Sequence, residues 1–537
     1  MRASKLSFVL RGCTRILRSR MVDLRYPASC FASKKYVSSC VPHSYCVPRQ
    51  EGNRSSDVTM RVKKIPEETK YSEVQSFYEG EVIFITGATG FVGQTLLEKL
   101  LRSCPGIRRI YLLIRPYKNE SPAERLELLL KTECFKRLNQ EYPESLNKVV
   151  AVQGNLKEEK LGLKSSEYER LTSEVSVVSH SAATIKLNDT LRNAVMVNME
   201  GTKSVLDFCR KLKKMKAIVH VSTAFVNSDH DTLEERLYPP TVKPDDIIKL
   251  TKTMDEEDLD KLTPELLGDK PNTYTFTKHL AEWIVAEDGR DLPLVIVRPS
   301  IVCASWREPV PGWVDGLQGV NLLLASGMTG VLTTIVADKT AFMDIIPVDV
   351  VVNALIVAAC RAPQRDSTSQ AQFRQDPPVY NCASSAINKI LNGEVAHLTT
   401  KLGRKHVPKT LCGRPGLNMT MSRSYQAVAV FVFNYLPALF SDLVRPRKNK
   451  NMRLAFYSFI MFFISNSVSL SSSKYLGDRE TTCTHNNSEL NEYAIFNMDV
   501  RCINWESYWE DYVKGMRRYL VKQQLITVPD SPTQKEK

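Results

Sequence analysis

The chain has 537 residues, of which 43% are hydrophobic and 25% charged, with a formal net charge of +14. Such values suit more than one folded unit. The positive charge does not point to nucleic acid, because ten Lys/Arg fall within the first 50 residues against Asp23 alone and the body is only mildly basic.

Residues 1–59 are Arg- and Ser-rich and nearly free of acid, a composition shared with organellar transit peptides. A disordered extension ahead of a working start at Met60 fits equally well, and neither reading adds to the fold. Thirteen cysteines without a C-x-x-C pair read as buried or incidental thiols in a reducing compartment. His180, His220 and His279 are not at ligand spacing with other donors, so no metal site is expected.

The first strong pattern is Val82-Ile83-Phe84-Ile85-Thr86, a β-branched run that ends at Gly87, Gly90 and Gly93 and is followed by a helical pattern. Strand, tight turn and helix in that order make a dinucleotide cradle. Gly87 permits the turn, Gly90 admits a pyrophosphate, and Gly93 allows close helix–strand packing. The free N–H groups and positive dipole end of the helix favour phosphate there. Ile110 to Ile114 reads as a second buried strand ending at Arg115, where a cation accommodates a 2′-phosphate and so favours NADPH. A solvated Arg at a strand end is the plainer alternative. Val149 to Val152 forms a third strand, and the turn Gly154-Asn155-Leu156 faces adenine. Val175 to Val178 runs into His180-Ser181-Ala182-Ala183, a small-residue loop able to lie along the coenzyme. Strands alternating with helices at this spacing predict an α/β fold: a Rossmann-type, doubly wound parallel sheet.

Asn198 opens another helix, and Ala217 to Val221 is a central strand ending in Ser222-Thr223-Ala224. Tyr274 and Lys278 are four residues apart, hence on one face of a helix. A reductase must hand a proton to the developing alkoxide, and an ammonium beside a phenol lowers the phenol's pKa. Thr223 is placed to hold the substrate oxygen. Leu294 to Val302 completes the sheet and carries Pro299, Ser300 and Ile301 past the nicotinamide.

The glycine spacing in Thr86-Gly87-Ala88-Thr89-Gly90-Phe91-Val92-Gly93 resembles extended short-chain dehydrogenase/reductases. Adding His220-Val221-Ser222-Thr223-Ala224, Tyr274-Thr275-Phe276-Thr277-Lys278, Arg298-Pro299-Ser300-Ile301-Val302 and Glu308-Pro309-Val310-Pro311-Gly312-Trp313-Val314-Asp315-Gly316, the chain resembles the alcohol-forming fatty acyl-CoA reductases of animals. Asp344 to Asp349, Phe496 to Val500, Trp505 to Tyr508 and Tyr512 to Gly515 belong to the same resemblance, which covers roughly residues 75–522. It implies NADPH-dependent reduction of a long-chain acyl-CoA to a fatty alcohol through an aldehyde, with a mostly helical C-terminal module. Thr223 and Tyr274 would hold the carbonyl oxygen, and Tyr274 would protonate it. Lys278 would contact the nicotinamide ribose, and Asn198 would hold a water leading to solvent. Coenzyme contacts would come from Thr86, Gly87, Thr89, Gly90, Phe91, Val92, Gly93, Arg115, Asn155, Leu156, Ser181, Ala182, Tyr274, Lys278, Pro299, Ser300 and Ile301. Trp313 would meet the substrate, although a purely structural loop is an open alternative. Asn155 stands where the family usually has Asp, and the polar stretch Ser471 to Ser488 matches the family poorly. A sugar-nucleotide or sterol dehydrogenase would share the fold, but the Pro311 to Asp315 stretch speaks against it. A non-catalytic NADPH-binding membrane scaffold would not need Thr223, Tyr274 and Lys278 together.

The expected organisation is a leader at 1–59, a reductase domain at 75–420, apolar membrane-associated segments at 425–470, the C-terminal module at 471–522 and a tail at 523–537. Tyr425 to Leu443 reads as a broken or interfacial helix. Leu454 to Leu470 sits at the short edge for a transmembrane helix. Between them, Arg445, Arg447, Lys448, Lys450 and Arg453 suit anionic lipid headgroups and a cytosolic side. Two core helices of a second domain remain the alternative for these segments. Membrane lipids are thus an expected partner, at a peroxisomal or endoplasmic-reticulum membrane with a cytosol-facing site. Oligomeric state is not legible.

Overall fold

The computed structural model describes residues 72–436, apart from Lys118, Asn188, Asp229, Asp231, Val331, 364–375 and 407–414, together with 480–481 and 494–521. The expected leader, the 454–470 segment, nearly all of 471–488 and the tail lie outside the described residues.

Strands β1 (Val82–Thr86), β2 (Arg109–Ile114), β3 (Val149–Gln153), β4 (Val177–His180), β5 (Ala217–Val221), β6 (Leu294–Pro299) and β7 (Val379–Cys382) form one parallel sheet in the order β7-β6-β5-β4-β1-β2-β3. Helices α1 (Phe91–Ser103), α2 (Pro122–Leu130), α3 (Ser165–Glu174), α4 (Gly201–Arg210), α5 (Thr273–Asp288), α6 (Val348–Cys360), α7 (Asn392–His406), α8 (Arg423–Val430) and α9 (Trp505–Gly515) are the ones that matter below. The α/β expectation is met, and the described part of the C-terminal module is mostly helical, with one short strand at Glu480–Thr481.

Every residue of β1 is buried, as a central strand covered on both faces must be. Its alternation divides the molecule into two cores. Ile83 and Ile85 face one core with Leu96, Leu97 and Leu100 of α1 and most of α6, while Val82 and Phe84 face the other with Leu206 and Phe208 of α4 and Leu280 and Ile284 of α5. Truncating Phe84 to Ala would cost about 3–5 kcal/mol through lost burial and the cavity left behind. Chain order reverses between β1 and β4, and ligands bind at such a switch point, beyond the carboxyl ends of the strands. Thr86, His180 and His220 stand level across those ends. Ser222 and Ala224 extend the row by donating to the carbonyls of Val297 and Pro299, at 2.8 and 2.9 Å.

Candidate active site

The glycine turn closes as its spacing predicts. Gly87 has φ +77°, and a Cβ there would lie 2.7 Å from the Ala182 nitrogen, so only glycine lets β1 and the β4 loop approach this closely. A Cβ on Gly93 would come within 2.2 Å of the Gly87 carbonyl oxygen, which accounts for the third glycine. At Gly90 a Cβ would meet only the Gly87 oxygen at 3.3 Å, so this position faces open space beside the N-terminus of α1. Gly90 caps α1 with no side-chain hydrogen bond, leaving the first-turn N–H groups to an anion. Around the turn, Thr86 binds His180 Nδ1 at 2.8 Å, and the Ser181 hydroxyl donates to the Thr86 carbonyl at 2.8 Å. Ala182 N–H donates to the Thr86 hydroxyl at 3.3 Å.

Asn272 caps α5 by accepting from Thr275 N–H at 2.9 Å, which puts Tyr274 in the first turn and Lys278 one turn on. Thr223, just past the end of β5, lies near enough to the Tyr274 hydroxyl to hold its pKa down. Lys278 Nζ donates to the Val221 carbonyl at 2.7 Å, tying the helix to the end of β5. Thr223, Tyr274 and Lys278 are therefore brought together. The expected lowering of the phenol by Lys278 is not found, however. Burial pushes Tyr274 up to about 12, against the opposing pull of Thr223. Burial also brings Lys278 down to about 8, with the Glu282 carboxylate partly holding it up. Desolvation is the largest influence on each of the two groups. Behind them, burial lowers His180 to about 3, so both it and the similarly lowered His220 are neutral.

Asn198 lies in a π-type turn, Val195–Glu200. Its amide group is occupied: Oδ1 accepts from Thr184 N–H at 2.9 Å, and Nδ2 donates to the Thr184 carbonyl at 3.3 Å and to Thr277 Oγ1 at 3.0 Å. Its backbone carbonyl accepts from the Thr202 hydroxyl at 2.7 Å. Rather than presenting a free amide to a water, Asn198 fastens α5 to the β4 loop.

Arg115 is exposed at the end of β2, and its carbonyl accepts from Arg125 Nη1 at 2.5 Å. Arg125, which the motif reading missed, adds a second guanidinium at this corner. The signal was present in Ser121-Pro122-Ala123-Glu124: a capping box with proline at the first helical position starts α2 and sets Arg125 in its first turns. Asn155 is folded into its own turn, donating to Glu158 at 2.9 Å and accepting from Lys157 N–H at 3.2 Å. Leu156 packs against Gly201, whose added Cβ would lie 3.2 Å from the leucine Cβ. Thr89 is exposed and Val92 partly buried on either side of Phe91; Ile301 is partly buried past Pro299. The Ser300 hydroxyl is buried without a hydrogen-bond partner among the described residues, a polar atom available to a ligand. Trp313 is only 3% exposed and stacks obliquely on Phe91 with ring centroids 5.2 Å apart, so its indole is a packing group behind the glycine turn. The thiol of Cys303 is buried and pushed up to about 12.

This sheet order and this cluster define a dinucleotide-dependent oxidoreductase of the short-chain reductase type. Family models described as male sterility protein match residues 85–355, as a dinucleotide-binding region, and 433–523. The chain is 34% identical to fatty acyl-CoA reductase 1 of Xenopus laevis over 464 residues, spanning 85% of this chain and 88% of the relative. It is 34% identical to human fatty acyl-CoA reductase 1 over 465 residues with the same coverage, and 32% identical to fatty acyl-CoA reductase 2 of Bos taurus over 469 residues, 86% of this chain and 88% of the relative. Among solved structures, the terminal R domain of the myxalamid biosynthetic pathway superimposes with a TM-score of 0.52 at 18% identity, over 82% of this chain and 91% of that one. The reductase domain of a nonribosomal peptide synthetase from Mycobacterium tuberculosis does so with a TM-score of 0.52 at 18% identity, over 82% and 92%. The chain belongs to the fatty acyl-CoA reductase family.

Proposed function

We propose that this chain reduces a long-chain fatty acyl-CoA to the fatty alcohol, through the aldehyde, with NADPH as reductant. The observation that carries the reading is Tyr274 near Thr223 and one helical turn from Lys278, whose ammonium is tied to the Val221 carbonyl at the end of β5. The residues present fit the coenzyme: open space at Gly90, free N–H groups at α1, an unpartnered Ser300 hydroxyl, and two arginines where a 2′-phosphate would sit. When bound, NADPH would supply hydride. Thr223 and Tyr274 donate hydrogen bonds to the carbonyl oxygen, so charge developing there is met by fixed donors. Tyr274, with its pKa raised, stays protonated across the neutral range and is loaded as the acid. Lys278, still mostly ammonium at pH 7, favours the phenolate left behind. Each reduction consumes one hydride and one proton; the first expels the CoA thiol and leaves the aldehyde, and the second yields the alcohol. Cys303 is too deeply buried as a thiol to be a nucleophile.

Membrane attachment is part of the proposal. Tyr425, Val428, Val432 and Leu436 are spaced three, four and four apart, and all are exposed, with Tyr425 at 58% and Val428 at 62%. They form one apolar stripe along α8 and its continuation. Only Gln426, Ala429 and Val430 of α8 turn inward, which argues against a core helix here. The cationic stretch from Arg445 to Arg453 follows in sequence and would suit anionic headgroups on the cytosolic side of an intracellular membrane, such as that of the peroxisome or endoplasmic reticulum. Among the described residues no helix is long and apolar enough to cross a membrane.

The test is incubation of membranes containing this chain with NADPH and mixed acyl-CoAs, followed by lipid analysis for aldehydes and alcohols. Tyr274→Phe should keep NADPH binding and lose alcohol output; normal output from that variant overturns the assignment. Arg115→Glu should lower the preference for NADPH over NADH roughly 10- to 100-fold, the worth of a charge-assisted hydrogen bond. An unchanged preference would mean that the 2′-phosphate binds elsewhere.

A further inference from the structure

The loop 304–316 lies between the first helix of the sheet domain and the C-terminal module, and both sides grip it. On one side it clasps α1 at three levels. Glu308 accepts from Lys99 at 2.5 Å and from Arg102 at 3.0 Å near the end of the helix. Asp315 accepts from Gln94 at 2.6 Å, and Trp313 stacks on Phe91, the first helical residue after Gly90. Within the loop, Ser305 ties Trp313 N–H at 3.0 Å, and the buried Asp349 carboxylate accepts from the N–H groups of Trp306, Arg307 and Glu308.

On the other side stands α9. Tyr508 donates its hydroxyl to the Ala304 carbonyl at 2.7 Å, and Tyr512 bonds Asn321 just beyond the loop. Between these two tyrosines and Gly515 the helix and the loop meet backbone to backbone. A Cβ on Gly515 would lie 1.7 Å from the Gly312 carbonyl oxygen, and one on Gly312, at φ +75°, would lie 2.0 Å from the Asp511 carbonyl oxygen. No side chain larger than hydrogen fits at either position without shifting one backbone. Glycine is a costly residue inside a helix, so its place here is explained by this contact. Two glycines 203 positions apart in the chain thus set the distance between α9 and the loop.

We infer that α9 is a positioning element of the dinucleotide site: seated on Gly312 through Gly515, it presses Trp313 onto Phe91 and so fixes where the N-terminus of α1 meets the pyrophosphate. In this inference α9 acts on the coenzyme site only through the loop. The inference rests on the coenzyme reading above and gives the C-terminal module a specific task in it.

The experiment measures NADPH affinity of the solubilised full chain directly, from the fluorescence of the bound dihydronicotinamide. Gly515→Ala should weaken NADPH about 10-fold, and Tyr508→Phe about 3-fold. In the Gly515→Ala background, adding Trp313→Leu should weaken binding little further, because both act through one ring contact. Leu259→Ala, which hollows the opposite core, serves as the structural control: it should lower the melting temperature while leaving NADPH affinity unchanged. Unchanged affinity in folded Gly515→Ala, or a full additive loss in the double variant, overturns the inference. If Gly515→Ala yields no folded protein, Tyr508→Phe decides by the same criterion, compared with Leu259→Ala. A wild-type chain that fails to bind NADPH overturns the functional reading and this inference with it. Wild-type binding with unaffected variants overturns this inference alone.

Discussion

Two buried lysines, on the two helices that flank the sheet, have opposite fates. Lys99 on α1 is 2% exposed and fully answered: its ammonium contacts the Glu308 carboxylate at 2.5 Å and the Ile495 carbonyl at 2.6 Å. Lys278 on α5 is 4% exposed and donates to a single carbonyl at 2.7 Å, with its nearest helpful carboxylate, Glu282, one helical turn away. Glu282 itself is committed to Arg298, with bonds of 2.8 and 2.7 Å. Burial lowers the pKa of both lysines, but Lys99 recovers part of that through contact with Glu308. A lysine that holds a structure together is paired, whereas a buried lysine left short of partners keeps its proton in play near neutral pH, as the proposed role of Lys278 requires.

Replacing each lysine by methionine breaks or sharpens this contrast. Lys278→Met should cut alcohol formation by about 10²–10⁴-fold, the range of general acid–base catalysis, with no loss in melting temperature. A folded variant with normal turnover would remove Lys278 from the site. Lys99→Met should behave oppositely, keeping turnover per folded molecule but costing about 1–3 kcal/mol of stability in a denaturant titration. The cost stays moderate because Glu308 is 27% exposed and keeps Arg102. Turnover lost without any loss of stability would place Lys99 in the chemistry instead.

The smallest effect is the dependence on pH. If Lys278 works as ammonium, as proposed, its pKa of about 8 in the folded chain means that turnover should fall as pH rises through that value, approaching tenfold per unit above it. The raised Tyr274 places its own loss of proton near pH 12, beyond that limb. The stability sign is opposite: a depressed lysine pKa penalises folding most where the ammonium is fully charged, below pH 8. Raising the pH from 8 towards the unfolded value near 10.5 should relieve that part of the penalty. Thermal melts of wild type and Lys278→Met across this window measure the difference, and no difference would contradict the burial argument.

Local chemistry was legible where a residue's role depends on its near neighbours in the chain. Gly87, Gly93, Tyr274 and Lys278 stand as their spacing requires, because a turn and one helical face are set within a few residues. Arg125 was readable from its capping box and was passed over for the more conspicuous Arg115. The partners of Asn198 were not legible, since its amide is taken up by Thr184, 14 residues earlier, and by Thr277, 79 residues later.

The residues alone determined the parallel sheet, the glycine turn and the placing of Tyr274 and Lys278 on one helical face, because these follow from period, φ preference and i, i+4 geometry. Tertiary packing decided the rest. It desolvated the phenol and so raised a pKa that proximity to Lys278 had suggested would fall. It also turned Trp313 inward onto Phe91 and brought Gly515 against Gly312, 203 positions apart, since burial and backbone contact depend on what the folded chain places nearby.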